Sequence, residues 1–351
     1  MRTCVAILTL LLAASALPGQ DALILKDRLD AGRKLGFDEN AERAVKDAFT
    51  WLLPLQKEKG DFPSAKDREV AGAALAVLAL HGIGQSRETA KGPELNKALK
   101  FLVSKQSAAG RFHSQDYWQH TMATIALCEM VAKEDARYGV LGIGAASSAL
   151  EKASELGFQV VLNSQNPDGG WSSGVVEKSD LHTTAWQLLA LRSGQAVGYR
   201  IPAQRFEDVR RYLDRLAHED GLRYSMRPGE EPSDFATVLG LATRATLGDP
   251  LPEAAVAALL KKGVPENLDS ETMLFTSIAL KRSKNVEAYK KWYEQMTRVL
   301  PVAQQQNGSW AALKGDPHQD ELTVSMLRLL ALESCLSPPK GKRGLSLFRV
   351  E

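Results

Sequence analysis

Cysteine is nearly absent from this 351-residue chain. Three thiols, Cys4, Cys128 and Cys335, are too few for the disulfide framework that staples small exported domains. Cys128 and Cys335 lie in apolar helical runs and are expected as small buried hydrophobes, with one bridge between them as the alternative. An excess of one charge is also missing: 44 Lys and Arg face 42 Asp and Glu, a net +2. That balance gives no basic field for a phosphate backbone, so nucleic acid is excluded as a first partner. No Ser-His-Asp spacing, P-loop or dinucleotide fingerprint occurs. What is present is a folding composition, 44% hydrophobic and 25% charged, with length enough for one large core.

The start of the chain reads as an export signal. Arg2 precedes a run from Val5 to Leu12 that is apolar but for Thr9, and Ala14-Ser15-Ala16 supplies small residues for cleavage. Residues 1–16 are expected to leave, with cleavage as late as residue 20, and the mature protein to be periplasmic or extracellular. The apolar run is shorter than the roughly 20 residues that span a bilayer, and no later segment matches it. No transmembrane segment is expected after cleavage. Residues 337–351, with Pro338-Pro339 and three basic residues near Lys340, read as a tail packed along the outside or left mobile.

Between these ends the chain repeats itself. Apolar residues recur at helical spacing in 69–81, 181–191 and 321–332, and no long stretch alternates with the period of a strand. Five such helices follow an Asp with Thr or Val three places on: Asp67 and Val70, Asp180 and Thr183, Asp234 and Thr237, Asp269 and Thr272, Asp320 and Thr323. Asp there accepts from free backbone N–H groups and complements the positive helix end. Trp118 with Thr121 fits the same register. A more charged helix precedes each, near 41–56, 94–106, 146–165, 205–218, 253–262 and 286–306. Six hairpins with an enclosed second helix pack naturally as a ring.

The linkers carry a second signal, Q-x-x-x-G-x-[FW]. It recurs at Gln56-Gly60-Phe62, Gln106-Gly110-Phe112, Gln165-Gly169-Trp171 and Gln304-Gly308-Trp310, with a degenerate copy at His218-Gly221-Tyr224. Gly permits a left-handed turn, Gln can satisfy exposed backbone groups, and the aromatic can pack on a neighbour. The pattern resembles the repeat shared by squalene and terpene cyclases and protein prenyltransferase beta subunits, over about Ala41 to Leu336. That resemblance implies an all-α (α/α)6 toroid over 21–336, built from six helical hairpins, with the inner-helix starts gathered at one mouth of a central cavity.

The family's chemistry is a separate question. The chain has no D-x-D-D, the acid that class II cyclases use on alkenes, and no D-D-x-x-D, since no two Asp residues are adjacent. The D-x-C of prenyltransferase zinc sites is missing, although His120-Thr121 and His182-Thr183 match its H-T. A partner subunit in the cytosol is also not one that an exported chain would meet.

Two places after each cap stand Glu69, His120, His182, Ala236, Glu271 and Leu322. Glu69, His120 and His182 would form a zinc or iron set if they converged; the alternative is helix-end complementarity and a wet rim. Tyr117, Trp118, Trp186, Phe235 and Phe275, in the first turns of inner helices, are candidate cavity lining. Together with His120, Asp180, His182 and Glu271 they make the expected ligand site. His113 and His318 fall in loops at that mouth and are expected to be solvated; His81 falls at the far end. The expected function is an exported terpene-cyclase-like binding or scaffold module for an apolar small molecule, isoprenoid-like, or a peptide. An enzyme on isoprenoids using the His and Glu residues is the first alternative. An (α/α)6 glycan hydrolase or lyase using Glu69 and Glu271 is the second.

Overall fold

The computed structural model describes residues 28–65, 67–85, 87, 89, 91–113, 116–138, 145–174, 178–312, 320–336 and 345–348. The expected signal, residues 1–16, and His318 lie outside them. Twelve long helices among the described residues alternate between two layers. The outer ones are α1 (Glu39–Leu52), α3 (Gly92–Lys105), α5 (Ala145–Asn163), α7 (Ala203–Asp214), α9 (Glu253–Lys262) and α11 (Val286–Ala303). The inner ones are α2 (Glu69–Gly82), α4 (Tyr117–Tyr138), α6 (Leu181–Val197), α8 (Asp234–Leu247), α10 (Ser270–Arg282) and α12 (Glu321–Glu333).

Burial separates the layers as composition dictates. Every residue of α2 from Val70 to Gly82 is buried, whereas α7, rich in Arg and Asp, buries only Val209, Tyr212 and Leu213. Each inner helix packs on the next, and α12 packs back on α2, so the ring is closed. The chain is an all-α (α/α)6 toroid. Among the described residues its strands form a three-stranded antiparallel sheet, β1 (Ala217–His218), β2 (Arg223–Ser225) and β3 (Pro232–Ser233), where the linker repeat is degenerate.

The linker repeat is the stitching. In each full copy the Gln amide donates to the carbonyl of its own turn's Gly and to a carbonyl in the next outer helix. Gln56 reaches Glu94, Gln106 reaches Ala153 and Gln165 reaches Arg205. Gln304 reaches Ala44 at 2.9 Å, across 260 residues, and so joins the last hairpin to the first. Gly169 shows why the turn tolerates no side chain: its φ is +92°, and a Cβ there would lie 2.1 Å from the Asp208 carbonyl oxygen. The aromatics Phe62, Phe112, Trp171 and Trp310 are all buried.

The caps correct the expected register in half of the hairpins. Asp180, Asp269 and Asp320 cap as expected, accepting from Thr183, Thr272 and Thr323 at 2.7, 2.7 and 2.8 Å. Asp234 is instead the first helical residue, and the Ser233 hydroxyl accepts from Ala236. Asp116, not Trp118, caps α4, accepting from Gln119. Asp67 has φ +62° and caps nothing; Arg68 precedes α2 with no side-chain cap.

Cys128 and Cys335 are buried and free, and burial pushes each thiol up to about 12. Where described, the tail contradicts an outside path: Leu345 to Phe348 are buried inside the ring.

Candidate functional site

With the caps in place, the residues two positions into the inner helices become Val70, Trp118, His182, Phe235, Glu271 and Leu322. Four of them meet at one mouth. His182 Nε2 donates to Glu271, 2.9 Å from Oε2 and 3.0 Å from Oε1. Trp186, one turn below His182 on the same helix face, donates its indole N–H to Glu271 Oε1 at 2.8 Å. Phe275, one turn below Glu271, stacks edge-on against Trp186 with centroids 4.9 Å apart. Trp118 meets the other side of Trp186 at 6.4 Å, also edge-on. Phe235 lies 6.1 Å from the His182 ring.

A pocket of about 380 Å³ opens over this floor, lined by His113, Asp116, Tyr117, Trp118, Thr121, Ser173, His182, Thr183 and Trp186. Its walls are the starts of α4 and α6, where the Asp116 and Asp180 carboxylates cap the helix N–H groups. Glu271 is wholly buried beneath, while 30% of the His182 side chain stays exposed to the pocket. Burial pushes the His182 pKa down, but Glu271, with lesser help from Asp180 and Asp269, outweighs it and the net shift is upward. The imidazolium form is therefore favoured, and paired with a buried carboxylate it is a weaker acid than free histidine.

Four expected residues, Tyr117, Trp118, His182 and Trp186, line the pocket, and Phe235, Glu271 and Phe275 support it. Asp180 acts below the surface: it caps α6, holding Thr183 through both its N–H and its hydroxyl. His120 requires correction. It is buried, stacks on Phe112 with centroids 5.6 Å apart, and its Nδ1 accepts the Phe112 N–H at 3.3 Å. Thr184 and Thr237 do the same for Trp171 and Tyr224, so His120 is the turn-securing member of its repeat. Burial, helped by Arg111, lowers its pKa to about 4, which keeps it neutral as an acceptor.

The metal set also fails. No three His, Cys, Asp or Glu among the described residues come together as ligands, so Glu69, His120 and His182 are not a zinc or iron site. The reason is the cap shift, which moves His120 out of the His182 level. Sequence reasoning missed Asp116, Thr121, Ser173, Thr183 and His113 as lining. Reading Asp116 as the cap would have found the first two. His113 is partly enclosed rather than solvated, its Nδ1 accepting from the Asp116 N–H.

No family model matches the chain. Drimenyl diphosphate synthase of Streptomyces showdoensis is 29% identical over 221 residues, 59% of this chain and 39% of that protein. The match thus spans well under half of the relative. Among solved structures, a variant of the type II terpene cyclase MstE from Scytonema, in complex with geranylgeranyl dihydroxybenzoate, superposes with a TM-score of 0.54 at 13% identity over 87% of this chain and 98% of that one. An inactive variant of the α-1,6-mannanase GH76A of Salegentibacter sp. HEL1_6, in complex with α-1,6-mannotriose, gives 0.52 at 11% identity over 85% and 98%. The toroid architecture is common to both, whereas the sequence likeness lies with the synthase. The likeness to the synthase over 59% of this chain, with the shared toroid, supports a terpene cyclase and prenyltransferase-like superfamily.

Proposed function

We propose that this protein is an exported binding module of the terpene-cyclase fold, and that its pocket takes a compact apolar ligand of isoprenoid type. The observation that carries the reading is the aromatic pocket floored by Trp186 and the His182–Glu271 pair. At about 380 Å³ it lies within the roughly 300–1,000 Å³ of small-molecule pockets. Tyr117, Trp118 and Trp186 give apolar contact, and His182 gives one polar anchor for a hydroxyl or carboxylate head. The names of the relatives favour isoprenoid over other apolar ligands. Alkene protonation needs a strong acid, and His182 is held weaker than ordinary histidine while no D-x-D-D replaces it. The glycan reading loses its support because Glu271, one of its two carboxylates, is buried and bonded to His182 and Trp186.

One observation favours a second reading, proton transfer from His182: it is the titratable side chain at the pocket floor that is both exposed and held by a carboxylate. A single experiment separates the two. The purified protein is titrated with farnesol and with dodecanol while tryptophan fluorescence is followed, and a parallel farnesol incubation is analysed by gas chromatography and mass spectrometry. Saturable quenching by farnesol, weaker with dodecanol and lost in Trp186→Ala, is expected, with farnesol recovered unchanged. New products lost in His182→Gln would establish the second reading. Equal, unsaturable responses to both alcohols would sink both.

A further inference from the structure

At the other end of the inner helices lies a site unrelated to the pocket. Counting thirteen residues from each cap gives Glu129 on α4, Ser193 on α6 and Arg282 on α10, at one level of the ring. The helical rise puts them about 16 Å below the His182 level, eleven residues at ~1.5 Å each. All three are buried; Glu129 and Arg282 are bonded to residues 345–348, and the Ser193 hydroxyl lies 2.9 Å from that of Ser346. The Ser346 N–H donates to Glu129 Oε2 at 3.0 Å, and the Ser346 and Ser193 hydroxyls both donate to Glu129 Oε1. Arg282 donates from Nε to the Leu347 carbonyl at 3.0 Å and from its guanidinium to the Ser346 carbonyl. Leu345, Leu347 and Phe348 are at most 1% exposed, and the Lys281 ammonium sits 5.8 Å over the Phe348 ring.

We infer that the ring's far mouth is a peptide-binding slot, built by Glu129, Ser193 and Arg282, whose occupant is the chain's own Leu345-Ser-Leu-Phe348 segment. Its chemistry is that of peptide recognition: one carboxylate reads a backbone N–H and a hydroxyl, one guanidinium reads two carbonyls, and apolar side chains fill the hole. The inference stands whatever ligand the pocket takes.

Hydrogen exchange on the full chain tests it. The Ser346 and Phe348 amides are expected to be protected, independently of protein concentration, and Glu129→Gln should speed their exchange by about tenfold or more through loss of a charge-assisted bond. Because that variant could loosen the whole end, Leu347→Ala/Phe348→Ala is made in the full chain with the slot intact. A synthetic GLSLFRVE peptide should bind this double variant and not the parent, whose slot is filled. Adding Glu129→Gln to the double variant should abolish that binding. Tail amides exchanging at free-peptide rates in the parent would overturn the proposal. So would protection that fades on dilution, or equal binding of the peptide and a scrambled sequence.

Discussion

Replacing Glu271 by Gln isolates the pair at the pocket floor, because the side chain keeps its shape and its acceptor for Trp186 but loses its charge. Glu271 is wholly buried and accepts two donors at 2.8–3.0 Å. Removing one charge of a buried pair costs about 3–5 kcal/mol when the other charge stays stranded. His182, 30% exposed, can instead shed its proton, so about 2 kcal/mol is expected, or roughly 4 °C in Tm. The pH dependence carries the test. The folded-state pKa of His182 is raised, so its stabilisation is fully present below the unfolded value near 6.5 and is lost as pH rises through the folded value. The Tm gap between parent and Glu271→Gln should therefore be widest on the acid side of neutrality and shrink at higher pH. Imidazole titration by NMR, with His182→Gln to assign the resonance, should give a lower midpoint in Glu271→Gln. An unchanged midpoint, or a Tm gap indifferent to pH, would refute the coupling.

Ring closure has its own test in Gln304→Ala, which removes amide bonds to Ala44 and Gly308 at 2.9 and 2.8 Å. It should cost about 1–3 kcal/mol and speed exchange in α1 and α11 before the other hairpins; uniform acceleration would deny Gln304 that role. Gly169→Ala meets both a positive φ and the Asp208 carbonyl at 2.1 Å, while Gly198→Ala meets φ +105° and no atom within 4 Å. Urea midpoints should place the Gly198 variant about 1–2 kcal/mol below the parent and the Gly169 variant well beyond it. Equal losses would mean that the close approach to α7 does not matter.

Much of the architecture was legible in the sequence because the signals are local. Charged and apolar helices alternate, Asp180, Asp269 and Asp320 stand where free N–H groups need acceptors, and Q-x-x-x-G-x-[FW] marks each strict turn. Those cues gave six hairpins and the pocket residues Tyr117, Trp118, His182 and Trp186. They could not give register where the cap was not the expected Asp: a shift of two residues separates Trp118 in the pocket from His120 under Phe112, and both lie near the start of the same apolar helix. Nor does any local signal say that Glu271 will receive His182 from 89 residues away, or that Ser346 will end on Glu129, 217 residues distant. The chain's own pattern determined the rods and the turns between them. Closure of the ring decided which side chains face each other across it, because only there do buried charges find the partners that burial requires.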